Sequence, residues 1–235
     1  LQINSLTSSY YPVEFEYFTL PVNPAEVSVT NVSPTTRLTN GEYIVDDLVN
    51  LSDTAQVVNY KVVPYTVVGN GTKQCTGDTV FAEVIVEPAL IATLIPDSDT
   101  ICSEEPVNIK ITSTSKSSQP LRFFYNIYPE NPTEIDILYD TAFGTIALDT
   151  GRFIVDTLVN ISDTAQLVRF DVTAYVQSGS DQGCPGVTTS AFVWVEPTPK
   201  VVPVPLIDTI CDSTQTSIVL TSPTGSTRPV EFEYI

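Results

Sequence analysis

Residues 41–56 read GEYIVDDLVNLSDTAQ, and residues 151–166 read GRFIVDTLVNISDTAQ. The two stretches lie 110 residues apart. Other pairs keep nearly the same offset: Ile101-Cys102 returns as Ile210-Cys211, and Glu87-Pro88 as Glu196-Pro197. Pro12 before VEFEY returns as Pro120 before LRFFY and as Pro229 before VEFEY. A fixed period of this length marks a tandem array, each period being one structural unit. The 235 residues hold two periods and the start of a third. The boundaries read as 1–96, with a truncated or strand-shared start, then 97–205, then 206–235 as the opening of a third module.

Outward from the repeat, each period reads as short strands. Val58, Tyr60 and Val62 alternate with Asn59 and Lys61. Val168, Phe170 and Val172 alternate with Arg169 and Asp171. Alternation of period two predicts a strand with one buried face. The following strand is expected to bury Val80, Ala82, Val84 and Val86 in one copy, and Ala191, Val193 and Val195 in the other. Phe15 and Tyr17 match Phe123 and Tyr125, then Phe232 and Tyr234. No segment carries a convincing helical pattern. Six or seven strands per period predict an all-β fold of tandem immunoglobulin-like β-sandwich modules. The connections EPALIATLIPDSDT and EPTPKVVPVPLIDT are Pro-rich and lack glycine. Such links are stiff and predict an elongated, semi-rigid array.

Composition narrows the function classes. Hydrophobic residues make up 42% of the chain, enough for a packed core. The net charge is −18, which repels nucleic acid and anionic lipid. No apolar run approaches the ~20 residues of a membrane span. The chain has no Met, carries no signal peptide pattern and opens within a strand-like pattern. It therefore reads as an internal window of a longer secreted protein.

The chain has no His, so a hydrolytic triad lacks its usual base. GNGTKQ around Gly69 does not match a phosphate-binding GxxxxGK[ST] loop. The chain is expected to have no catalytic site. Asp97, Asp99, Glu104 and Glu105 cluster before the second module. Hard oxygen ligands there make Ca²⁺ the one cofactor the sequence leaves open, against the plainer reading of a solvated acidic loop. Trp194, on the face opposite Val193 and Val195, is a carbohydrate platform, a module–module contact or a side chain packed under a loop.

Cys75 and Cys102 are 27 residues apart, as are Cys184 and Cys211. With no His and no CxxC, zinc or redox use is disfavoured, and disulfides in an oxidising compartment are expected. Three connectivities stay open. Cys75–Cys102 with Cys184–Cys211 would follow if residues 79–87 and 89–97 formed a hairpin. Cys102–Cys184 would place its partners at opposite ends of a sandwich. A third option links each cysteine to modules outside this stretch.

ICSEEPVNIKITSTS, the TAQ-V-x-F/Y strand, the Gly/Cys loop and V-x-V-E-P together resemble the PKD-like repeats of Bacteroidota cell-surface proteins. Long arrays of such repeats occur in SprB-like gliding-motility adhesins. The resemblance implies type IX export, a cell-surface, extracellular location, and service as a stalk or filament in adhesion or gliding. It also brings O-glycosylation of Asp-Ser/Thr tripeptides into view. Matches fall at Thr54, Thr79, Thr100, Thr141, Thr157, Thr164, Thr209 and Ser213. Asp-Thr as a plain turn or strand start is the alternative reading. The expected partners are neighbouring modules of the same chain, with surface polysaccharide or other filament chains as further candidates. The rival function is a glycan- or calcium-dependent module that binds ligand directly.

Overall fold

The structure is a computed structural model. It describes residues 1–31, 37–69, 71–138, 148–178 and 181–233. All regular structure among the described residues is β. The chain divides into two compact units. Unit 1 holds Leu1–Leu90, Thr114–Pro120 and Ser178–Ser180; unit 2 holds Ile91–Ser113, Leu121–Gln177 and Asp181–Ile235.

In unit 1 the long strands are β1 (Val13–Pro21), β5 (Gln56–Val67) and β7 (Val80–Val86). Short strands are β2 (Val27–Asn31), β3 (Arg37–Thr39), β4 (Asp47–Asn50) and β6 (Lys73–Thr76). One sheet runs β3-β1-β5-β6, with β7 also on β5, and β2 pairs with β4. β1 and β5 are antiparallel, with Tyr17 opposite Val62. Phe15, Tyr17, Val27, Leu38, Ile44, Val58 and Tyr60 form the buried core with Ile3. Apart from Leu38 these are β-branched and aromatic side chains, with Phe15 and Tyr17, and Val58 and Tyr60, on alternating positions, which suit a half-buried pleated surface. Gly41 takes φ +92 and Gly151 φ +86 at the same turn of successive repeats, a backbone conformation that only glycine adopts without strain.

Unit 2 repeats this plan. β8 (Thr93–Ile95) pairs with β10 (Ile109–Thr112), which pairs with β14 (Phe153–Ile154). β9 (Ser98–Cys102) lies parallel to β17 (Asp181–Glu196), with Ile101 opposite Val195. β11 (Leu121–Pro129) and β16 (Gln166–Ser178) form the centre of that sheet, edged by β13 (Leu148–Asp149). β12 (Ile135–Leu138) pairs with β15 (Thr157–Asn160). β18 (Val202–Val204) pairs with β19 (Val219–Thr221), as β8 pairs with β10 one period earlier. Ile111, Phe123, Leu158, Phe170, Val172 and Ala191 are fully buried. This is the immunoglobulin-like sandwich the alternation predicts.

Two expectations fail. Val80 is 60% exposed, while Ala82, Val84 and Val86 are half-buried and pack against the core. Their counterparts Ala191, Val193 and Val195 are fully buried in unit 2. The hairpin of 79–87 with 89–97 is also absent. β7 pairs with β5, and β8 pairs with β10. Tyr234 lies outside the described residues.

Candidate functional site

The most distinctive local structure is the loop after β4 in unit 1 and its copy after β15 in unit 2. Asn160 is 5% exposed and organises the second copy. Its Nδ2 donates to the carbonyls of Thr164 and Val195, both at 2.8 Å. Its Oδ1 accepts from the Ser162 amide at 2.9 Å and the Ser162 hydroxyl at 2.8 Å. Gln166 Nε2 then donates to Ser162 Oγ at 3.1 Å and to Thr164 Oγ1 at 2.9 Å. Asn131 Nδ2 donates to Gln166 Oε1 at 2.6 Å. In unit 1, Asn50 donates to the carbonyls of Thr54 and Val86 at 2.7 and 2.9 Å. Gln56 reaches Ser52, Thr54 and Glu26, and accepts from Asn23. Among the described residues, no buried side-chain polar atom lacks a partner. A closed network of this kind fixes a loop conformation.

The fixed loop receives a segment from one period further along the chain. In unit 1, Ala55 N–H donates to Lys116 O at 2.8 Å, and Lys116 N–H donates to Asp53 O at 2.7 Å. The Glu87 carboxylate accepts from the Ser118 amide at 3.0 and 3.2 Å, and from the Ser118 hydroxyl. In unit 2, Ala165 and Asp163 bond the backbone of Gly225, both at 2.7 Å. The Glu196 carboxylate accepts from the Thr227 amide at 3.0 and 3.1 Å, and from its hydroxyl. Lys200 pairs with Asp163 there. Glu196 is 8% exposed, so these donors replace the water its charge would otherwise bind.

A second repeated network lies nearer the core. Tyr17 donates to Asp46 Oδ1 at 3.0 Å and Thr19 to Asp46 Oδ2 at 2.6 Å. Tyr125 donates to Asp156 Oδ2 at 2.9 Å. Burial, and then the Asp46 charge, push the Tyr60 phenol up to about 12. Burial also raises Tyr65. A hydrogen bond to Glu14 raises the exposed Arg37 guanidinium.

The sites expected from sequence are scattered. Asp97, Asp99, Glu104 and Glu105 are all exposed. Asp99 caps the Thr100 amide at 2.7 Å and Glu105 the Cys102 amide at 3.0 Å. Among the described residues, no three Asp, Glu, Cys or His side chains converge in a way that could hold a metal ion. All four cysteines are exposed and carry no disulfide in this structure. Cys102 faces Glu196 across β9 and β17, and Cys184 lies twelve residues before Glu196 on β17. At about 3.3 Å per residue, Cys102 and Cys184 are about 40 Å apart.

Thr79, Thr209 and Ser213 are exposed, while Thr100 and Thr157 are half-buried in β9 and β15. The hydroxyls of Thr54 and Thr164 are engaged by Gln56 and Gln166. Thr141 lies outside the described residues. Trp194 is 39% exposed and Tyr10 94%. Asn50, Gln56, Glu87, Asn160, Gln166 and Glu196 were visible in the sequence only as letters shared by the two copies. Their repetition was the one available signal.

A PKD-like domain model matches residues 22–90 and 99–199. Domains 4 and 5 of the S-layer protein SbsC, a solved structure, align at 10% identity with a TM-score of 0.28. That alignment spans 83% of this chain and 78% of that one, and is too loose to build on. No curated protein matches the chain. The family match covers both repeats and most of their strands, and the chain belongs to the PKD-like domain family.

Proposed function

We propose that the chain is the repetitive shaft of a long extracellular, cell-surface adhesin or filament, acting as a semi-rigid stalk without a catalytic site. The observation that carries this reading is the twofold occurrence of one joint. Asn50, Gln56 and Glu87 hold residues 116–118, and Asn160, Gln166 and Glu196 hold residues 225–227. A device built once per repeat suits a function built by repetition. The Pro-rich connections and PKD-like membership support the same reading.

The finer parts of the proposal rest on the resemblance in sequence. They are export by the type IX route, service in gliding or adhesion, and O-glycosylation at the exposed Thr79, Thr209 and Ser213. Cross-links among the four exposed cysteines are also proposed, on their repeated 27-residue spacing rather than on the resemblance. The rival reading, a glycan- or calcium-dependent module that binds ligand directly, draws on the exposed Trp194 and Tyr10.

Negative-stain electron microscopy and a glycan array on the same preparation test the proposal. An elongated particle that binds no glycan, with or without calcium, supports the shaft. A compact particle, or saturable glycan binding lost on Trp194→Ala, contradicts it.

A further inference from the structure

The loop that Asn50 organises presents two main-chain groups, Asp53 O and Ala55 N–H, beside the Glu87 carboxylate. Unit 1 contains Thr114–Pro120, residues that the sequence period assigns to the second copy. That segment is held in two ways. Its residue 116 pairs by main chain alone, since Lys116 in one copy is Gly225 in the other. Its residue 118 offers both an amide and a hydroxyl to one carboxylate, as Ser118 does to Glu87 and Thr227 to Glu196.

From this repeated geometry we infer that each Asn-Gln loop and its glutamate form a docking surface for the hydroxyl-bearing turn of the following repeat, and that the glutamate selects Ser or Thr two residues after the main-chain pair. The selection follows from donor count. A carboxylate has about four acceptor sites, and a Ser or Thr at this position fills two of them with an N–H and an O–H. Alanine or valine there supplies only the N–H and removes one of the carboxylate's donors, which costs most at the buried Glu196 and less at the half-buried Glu87. The pairing at 116 uses main-chain groups only, so Lys116 and Gly225 make the same two hydrogen bonds. The folding unit is thereby offset from the sequence period. A repeat is closed by a few residues of its successor, and only a successor with the right turn closes it.

This inference rests on the stalk reading for its purpose, but not for its test. The test is amide hydrogen exchange, read by NMR on the full chain. Glu87→Ala is expected to speed exchange at Ser118 and Lys116 by tenfold or more, while Tyr60 and Val172 in the central strands stay unchanged. Glu196→Ala is expected to do the same at Thr227 and Gly225. Ser118→Thr is expected to keep protection, and Ser118→Ala to lose part of it. Unchanged exchange at Ser118 in Glu87→Ala overturns the docking surface. Wild-type protection in Ser118→Ala overturns the selection of a hydroxyl. A flexible array that still shows the expected exchange pattern would contradict the stalk and leave the docking surface standing.

Discussion

Asn160 reaches across 35 residues to donate to the carbonyl of Val195 at 2.8 Å, and with its other N–H it closes the loop at Thr164. Asn50 does the same to Val86 and Thr54 in the preceding repeat. One amide thus ties the end of the last long strand to the loop that docks the next repeat.

Asn160→Ala is therefore expected to take this donor from the Val195 carbonyl and this acceptor from the Ser162 amide, while the Thr164 carbonyl keeps the Ser162 hydroxyl at 3.0 Å. The cost is about 2–4 kcal/mol, in line with buried groups left unsatisfied. Asn160→Asp keeps the acceptor, loses both donors and buries a charge, so it is expected to be no better. Urea midpoints of the full chain check both, and a loss under about 0.5 kcal/mol for either would contradict the role assigned here.

Packing separates two positions that looked alike in sequence. Phe170 is fully buried and Val80 is 60% exposed. Phe170→Ala is expected to cost about 3–5 kcal/mol. Val80→Thr is expected to change stability by less than about 0.5 kcal/mol. Equal losses at the two sites in a denaturant titration would contradict the burial described for β7.

What could be read in advance followed from locality. Alternation along Val168, Phe170 and Val172 needs only neighbours in sequence, so the strand and its buried face were legible. The offset of Glu87-Pro88 to Glu196-Pro197 showed the array. The roles of Asn50, Gln56 and Glu87 were not legible, because their partners lie up to 36 residues away and none of these pairings has a local signature. Val80 misled for a related reason. Its pattern is that of a buried strand, but depth of burial is set by contacts distant in sequence: Val80, at the start of β7, is 60% exposed, while Ala82, Val84 and Val86 pack against the core. The proposed hairpin failed because a proline near the middle of two apolar runs marks a turn as readily as a passage between sheets.

Tyr60 links stability to alkaline pH. Its phenol is pushed up to about 12 by burial and by Asp46, against an ordinary value of 10.0. Above pH 10 the unfolded chain releases this proton while the folded chain keeps it. Stability from this group is full below pH 10 and is lost as pH rises through about 12. Tyr60→Phe, the residue found at the equivalent Phe170, is expected to weaken that decline. Urea midpoints at pH 9 and pH 11 measure it, and identical slopes for variant and parent would contradict the shift.

The cysteine geometry makes a negative prediction. With about 40 Å between Cys102 and Cys184, oxidation of the folded chain is expected never to join them. Non-reducing peptide mapping by mass spectrometry reads this directly. A Cys102–Cys184 bridge in folded material would contradict the register of β9 on β17.

The central claim is that repeats add up to a stiff shaft. Small-angle scattering on chains of two, four and eight of these repeats tests it most directly. A shaft predicts a longest dimension that grows in proportion to repeat number. Growth nearer the square root of repeat number, as for beads on flexible linkers, would contradict it.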